Sequence, residues 1–314
     1  MKCTIQWNAL TLDQWQERFS QIHRSNILQA YHYAQAIRPV KGQTAKWGLI
    51  SMDGVEAGLV QISEAKTLFG LLHAVILDRG PLWFEGFGSA VHIKLFFDEM
   101  NSLYPLRFGR KRRVIPEIEQ GAAIEQIIRQ CGFEKTSHPS YQTLWWDLTI
   151  DDDEARKNLK KNWLSSLKKV EKSNAKIEWD CEGNFYEELK NYYILDKVDK
   201  GYEGISPKLL DNLALFSTQE NPMVIGRVKV NSETVAGVLF LIHGRSATYQ
   251  IGWSSSKGRQ ICAHHHLLWR ARAELRRYNI EQVDLGGINN AAKGLSQFKQ
   301  GTGAEPITLA GHYS

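Results

Sequence analysis

The segment Val283-Asp284-Leu285-Gly286-Gly287-Ile288 limits what this chain can fold into more than any other. A short, mostly apolar run that stops at two glycines reads as a buried strand ending where the main chain is left open to close approach. A helical pattern over 263–278 precedes it, and strand patterns over 223–230, 235–243 and 247–252 precede the helix. Three strands, a helix and a further strand predict an α/β (α+β) layer with the glycine corner at a strand end. Next comes Gly294-Leu295-Ser296-Gln297-Phe298-Lys299, then Gly301-Thr302-Gly303, a glycine-punctuated turn that presents Phe298 and Lys299. A lysine beside an aromatic ring at such a corner can hold an anion or polarise a carbonyl. The same residues also make an ordinary strand–loop–helix corner.

At 314 residues the chain has room for two domains, at about 150 residues each. The acidic run Asp151-Asp152-Asp153-Glu154 marks the boundary, because acids ahead of a helical pattern cap its N-terminus and complement its dipole. The helix predicted after it, over 155–172, buries Leu159, Trp163, Leu167 and Val170 and leaves Lys160, Lys161, Lys168 and Lys169 largely off that face. The first half reads as helices over 11–24, 89–103 and 121–131, with strands over 47–52, 57–63, 71–77 and 141–148. The second half repeats that plan after a helix-rich stretch over 184–216. The expected domains are 1–150 and 151–303.

Composition excludes several classes. Cys3, Cys131, Cys181 and Cys262 lie far apart with no Cys-x-x-Cys pair, so neither a metal site nor a disulfide framework is implied. No apolar stretch approaches the ~20 residues of a membrane-spanning helix, and the opening Met-Lys-Cys-Thr-Ile-Gln-Trp lacks an apolar signal core. A cytoplasmic protein, or one peripheral to the inner membrane, is expected. The net charge of +5 is unevenly placed: five of the seven residues from Arg107 to Arg113 are basic, as are seven between Arg156 and Lys172. Such clusters fit an anionic partner or a solvated face. No Gly-x-Ser-x-Gly elbow is present; Gly252-Trp253-Ser254-Ser255-Ser256 fails at its last position. His264, His265 and His266 cannot converge on one metal or on Cys262, since successive helical residues point ~100° apart.

Six motifs in order resemble the FemABX family, the aminoacyl-tRNA-dependent peptidyltransferases that build peptidoglycan cross-bridges. They are Gln29-Ala30-Tyr31, Arg79-Gly80-Pro81-Leu82-Trp83, Gly132-Phe133 with Gln142 to Thr149, the basic stretch Leu159 to Val170, the Asp284-Leu285-Gly286-Gly287-Ile288 corner, and Gly294-Leu295-x-x-Phe298-Lys299. The resemblance covers roughly residues 27–303. It implies two tandem GNAT-like acyltransferase domains, with residues 304–314 returning to the first. The inserted coiled-coil arm that some relatives carry in the second domain is not expected, since 151–314 leaves no room for one.

The resemblance also implies an aminoacyl-tRNA co-substrate and no cofactor. Phe298 and Lys299 would lie at the tRNA 3′ end, with Lys299 helping the ester carbonyl. Lys160, Lys161, Lys168 and Lys169 would meet the tRNA backbone. The acceptor, a peptide-like amine such as a peptidoglycan precursor, would meet Gln29, Tyr31, Tyr33, Gly80, Trp83, Gly286 and Gly287. This sequence departs from the family on that side: no arginine precedes the proline of Ile205-Ser206-Pro207, and only Arg38 stands near the usual lysine position. Arg110 and Arg112 are alternative anion contacts. An acyl-CoA or carrier-bound donor is the second expectation. Ser255-Ser256-Lys257-Gly258-Arg259-Gln260 keeps the central glycine of the pyrophosphate turn but not its flanking residues, leaving Lys257 and Arg259 as phosphate ligands. A non-catalytic RNA- or envelope-binding module is the third.

Overall fold

Largely buried strands build the first sheet. The chain forms β1 (Cys3–Trp7), the helices α1 (Leu12–Phe19) and α2 (Tyr31–Lys41), then β2 (Thr44–Met52), β3 (Val55–Thr67) and β4 (Leu72–Asp78). These four strands pair antiparallel in sequence order, and β5 (Leu82–Trp83) adds to β3. Helix α3 (Ala90–Leu103), capped by Ser89, then carries the chain back so that β6 (Arg110–Ile115) lies parallel to β4, and α4 (Ala122–Gln130) follows. The basic cluster around Arg110 is therefore a strand. Pairing with β4 turns Arg112 and Val114 inward and leaves Lys111 and Arg113 exposed.

The second sheet uses the same plan. Its elements are β7 (Gln142–Asp147), α5 (Asp152–Asn158), α6 (Lys161–Glu171), β8 (Lys176–Asp180), α7 (Tyr186–Lys200), α8 (Pro207–Leu215), β9 (Met223–Val230), β10 (Glu233–His243) and β11 (Ser246–Ser254). After them come α9 (Ser256–Gln260), α10 (Ala263–Arg276), β12 (Gln282–Asp284), α11 (Lys293–Gln300) and β13 (Glu305–Thr308). The strand order is β13-β7-β12-β11-β10-β9-β8. β8 to β11 pair antiparallel, and α10 carries the chain to a β12 that runs parallel to β11. No helix here is long enough for an arm; α7, at 15 residues, is the longest described.

This computed structural model describes residues 1–218, 222–288 and 292–314, which divide into two units, Met1–Gln142 with Ile307–Ser314, and Thr143–Pro306. The boundary falls at 142, not 150, because Trp145, Trp146 and Asp147 of β7 pair with Asp284, Val283 and Gln282 of β12. The C-terminal residues belong to the first unit, where Tyr313 bridges to Val114 and Lys135. Each unit has its own core, the first around Ile50, Phe96, Phe97 and Phe133, the second around Phe240, Leu267, Leu268 and Val283. Each such side chain contributes ~1.5–3 kcal/mol on burial.

Two local expectations are corrected. The basic helix over 155–172 is broken: Leu159 and Lys160 are extended, at ψ 135 and 144. The Lys160 N–H leaves the helical pattern to donate to the Gly301 carbonyl at 3.0 Å. The glycine-punctuated turn around Phe298 and Lys299 is helix α11. The loop expected just after Ile288 falls on 289–291, outside the described residues.

Candidate functional site

β11 and β12 pair over only three residues each, Ser246–Thr248 and Gln282–Asp284, while β11 runs on to Ser254. Beyond that pairing, Tyr249, Gly252 and Trp253 of β11 line a cavity of about 450 Å³ with Arg259, His264 and Phe298. A second cavity of about 570 Å³ is lined by Lys160, Lys161 and Trp163 at the start of α6 and by Gln297 of α11. His265 and Phe298 line both.

The wall between the cavities is aromatic. The Phe298 ring lies 4.9 Å from His265, 5.4 Å from His264 and 6.0 Å from Trp163, centroid to centroid. The Tyr249 hydroxyl and His264 Nε2 share a hydrogen bond of 2.9 Å. Glycine at 252 permits this pair, since a Cβ there would stand 1.7 Å from the hydroxyl. Burial pushes both His264 and His265 down to about 4, so they are neutral at pH 7, and burial raises the Tyr249 phenol. His264 and His265 thus both pack against the Phe298 ring. Neither Tyr249 nor His264 stood out in the sequence, where one is a strand tyrosine and the other one of a run.

Lys299 lies behind this wall. Adjacent positions on α11 diverge, so Phe298 reaches the cavities while Lys299 is buried with Nζ 3.1 Å from the Gly287 carbonyl, to which it donates. The ammonium also stands 5.7 Å from the Tyr249 ring centroid. Burial lowers its pKa to about 8, and the nearby Asp284 carboxylate acts in the opposite direction. Asp284, itself buried, accepts from the Thr143 hydroxyl and, at 2.8 Å, from the Gly286 N–H. That last bond fixes the double-glycine corner, where Gly286 adopts φ 76. The result is a buried cation held under an open main-chain corner.

The other basic residues divide. Lys160 and Lys161 are exposed, and neither has a carboxylate partner among the described residues. Lys168 is exposed, whereas Lys169 donates to the Gln260 carbonyl at 2.8 Å. Around α9 the groups needed for a pyrophosphate are engaged: Ser255 Oγ takes the Gly258 N–H at 3.1 Å, Lys257 pairs with Glu233 at 2.9 Å, and Arg259 donates to the Ser254 carbonyl at 2.6 Å.

Most of the expected acceptor residues of the first unit are likewise committed to the fold. Gln29 is buried; its amide donates to the carbonyls of Gln61 and Asp78 at 3.0 and 2.7 Å and accepts from the Gln61 N–H at 2.7 Å. A Cβ at Gly80 would lie 2.7 Å from Gln29 Oε1, so this glycine makes room for the glutamine. Arg112 is buried, donates to Asn101 at 2.7 Å and to the Gly132 carbonyl, and lies 4.0 Å from the Phe133 ring centroid. Arg110 donates to the Pro105 carbonyl at 2.9 Å and to His73 at 3.3 Å. Tyr31 stacks on Trp47 at 4.7 Å and Trp83 packs edge-on against Phe96 at 6.0 Å. Tyr33, its phenol pushed up to about 12 by burial, lines a small cavity of about 30 Å³ with Asp78 and Arg113. Arg38 is exposed near the end of α2.

No family model matches the chain, and no curated protein matches it. Solved structures do. FemX superposes with a TM-score of 0.79 at 15% identity, over 98% of this chain and 96% of that one. A conserved protein of unknown function from Bacteroides thetaiotaomicron VPI-5482 gives 0.60 at 13% identity, over 99% and 98%. A tandem GNAT protein from the clavulanic acid biosynthesis pathway gives 0.52 at 10% identity, over 99% and 98%. The chain has the FemX-like fold of two tandem GNAT-like domains.

Proposed function

We propose that the protein is an acyltransferase of the FemABX kind, moving an aminoacyl group from its tRNA to an amine of a peptide-like acceptor such as a peptidoglycan precursor. The observation that carries this reading is the pair of cavities sharing Phe298 and His265, one of them edged by the ammonium groups of Lys160 and Lys161, which have no carboxylate partner among the described residues. A terminal nucleotide needs an aromatic platform for its base and cations for its phosphates. Lys168 extends the cationic face. Lys299 acts from beneath Gly286 and Gly287, where its charge stabilises the oxyanion that develops on the donor ester. The acceptor amine attacks that carbonyl, a C–N bond forms, the ester C–O bond breaks, and the tRNA leaves with its ribose hydroxyl restored. The neutral Tyr249–His264 pair keeps the adjoining wall uncharged.

An acyl-CoA or carrier-bound acyl donor is the second reading; the cavity beside Gly258 and Arg259 favours it, and the engaged state of the surrounding donors weighs against it. Among the described residues no helix is long and apolar enough to cross a membrane, and we assign the reaction to the cytoplasm or the inner-membrane periphery. The test is transfer of a labelled amino acid from a charged tRNA pool to peptide-like amines. Labelled amide product supports the reading; labelled product only from acyl-CoA transfers the protein to the second.

A further inference from the structure

The tip of the first unit holds two loops that the transfer reaction does not use. The β3–β4 connection exposes Leu68, Phe69 and Leu71, at 64%, 112% and 56% of their full accessible area. The loop before β6 exposes Leu106 at 64% and Phe108 at 90%. The two loops are joined: the Arg107 guanidinium donates to the carbonyls of Gly70 and Leu71 at 3.2 and 3.4 Å, and the His73 N–H donates to the Gly109 carbonyl at 2.8 Å. Leu68 and Phe69 are moreover held at φ 48 and 55, a left-handed backbone unusual for large side chains. The fold thus keeps five large apolar side chains in water at one end of the unit, where scattered exposure would need no explanation but a cluster does.

The chemistry around this tip is cationic. Lys66, Arg107, Arg110 and Lys111 flank it. The nearby carboxylate, Glu64, is buried and already neutralised by Lys46 and Lys66 at 3.1 and 3.0 Å. Beside the tip, Leu72, Arg110 and Lys111 line a cavity of about 370 Å³. Apolar side chains on protruding loops, ringed by lysine and arginine, match a bilayer surface: the rings and leucines enter the headgroup–acyl boundary while the cations meet anionic headgroups.

We propose that this tip is a docking surface for an anionic lipid bilayer. The assignment is independent of the transferase reading, because vesicle binding is measured without turnover.

The test is co-sedimentation of the full chain with vesicles of phosphatidylglycerol and phosphatidylcholine, against vesicles of phosphatidylcholine alone. Binding to the anionic vesicles, weakened by salt, is expected. F69S/F108S should reduce it about tenfold and K111E severalfold, with circular dichroism unchanged. The variant F69W should show a blue-shifted emission from residue 69, over the native tryptophan background, when anionic vesicles are added. Absence of binding to anionic vesicles by the wild-type chain overturns the proposal. So does a dimer in light scattering that F69S/F108S converts to monomer without any vesicle binding, which would make the tip an interface between copies. Equal binding by wild type and F69S/F108S overturns it as well.

Discussion

The two units repeat one plan, an antiparallel meander followed by a helix and a parallel strand, yet the expected site residues of the first are mostly bound into the fold, while those of the second include exposed lysines. In the first, Gln29 and Arg112 have committed their hydrogen-bonding groups to main-chain carbonyls and neighbouring amides. In the second, Lys160 and Lys161 have no carboxylate partner among the described residues, and a buried ammonium stands under a double-glycine corner. Gln29 ties together the carbonyls of two strands, and Arg112 ties its strand to Asn101 and the Gly132 turn, since buried polar groups seek local partners. In the second unit, Lys160 and Lys161 line a cavity, while Lys299 is buried against the Gly287 carbonyl.

This difference predicts opposite consequences of substitution. The largest effect falls on Lys299: Lys299→Met keeps the side-chain volume and removes the charge, and should lower transfer by about 100-fold or more. Thermal unfolding at neutral pH should not fall, because the variant no longer buries a charge, and an active Lys299→Met enzyme would remove the cation from the account. In the first unit, Gln29→Ala should cost about 3 kcal/mol of stability, since it leaves the Gln61 N–H and two buried carbonyls without partners. Urea titration reads that loss, while transfer per folded molecule should stay near wild type. A Gln29 variant of full stability and no activity would reverse the comparison. Lys160→Ala with Lys161→Ala should weaken tRNA binding about tenfold and flatten its salt dependence by one to two phosphate contacts, roughly 0.7 log units of slope each.

The smallest effect concerns pH. Burial lowers the Lys299 pKa from its ordinary 10.5 to about 8, so between these values the unfolded chain holds more protons than the folded one. The stability penalty of burying the charge is complete below about 8 and is relieved as pH rises toward 10.5. Wild type should gain stability relative to Lys299→Met across that window. Transfer should fall as pH rises through about 8, where the folded chain loses the cation. A pH profile of stability with identical slopes for the two proteins would contradict the burial of a charged amine.

The sequence reading succeeded where burial makes a pattern continuous. β10 is a nearly unbroken apolar run and β9 and β11 are strongly apolar at their buried positions, so the limits of all three are legible within a few residues. β6 was not, because Arg-Lys-Arg-Arg-Val-Ile reads as a charged surface until pairing with β4 buries Arg112. The break at Leu159–Lys160 depends on a main-chain bond to Gly301, more than a hundred residues away in sequence, which no local pattern carries. Gly294 and Gly301 punctuate α11 strongly enough to read as a turn, and that reading joined Phe298 and Lys299 as one presented pair. The helix separates them. The Tyr249–His264 pair had no sequence signal, since its two halves meet only through the β11–α10 packing that glycine at 252 allows.

The central claim, that the second unit binds the aminoacyl end of a tRNA, is tested most directly by filter binding of the purified chain to charged and uncharged tRNA pools at low and moderate salt, with coenzyme A titrated in parallel. The account predicts tighter retention of the charged pool, loss of that preference in Phe298→Ala, and no displacement by coenzyme A. Saturable coenzyme A binding with no distinction between the two pools would contradict it and return the Phe298–Lys299 helix to a purely structural corner.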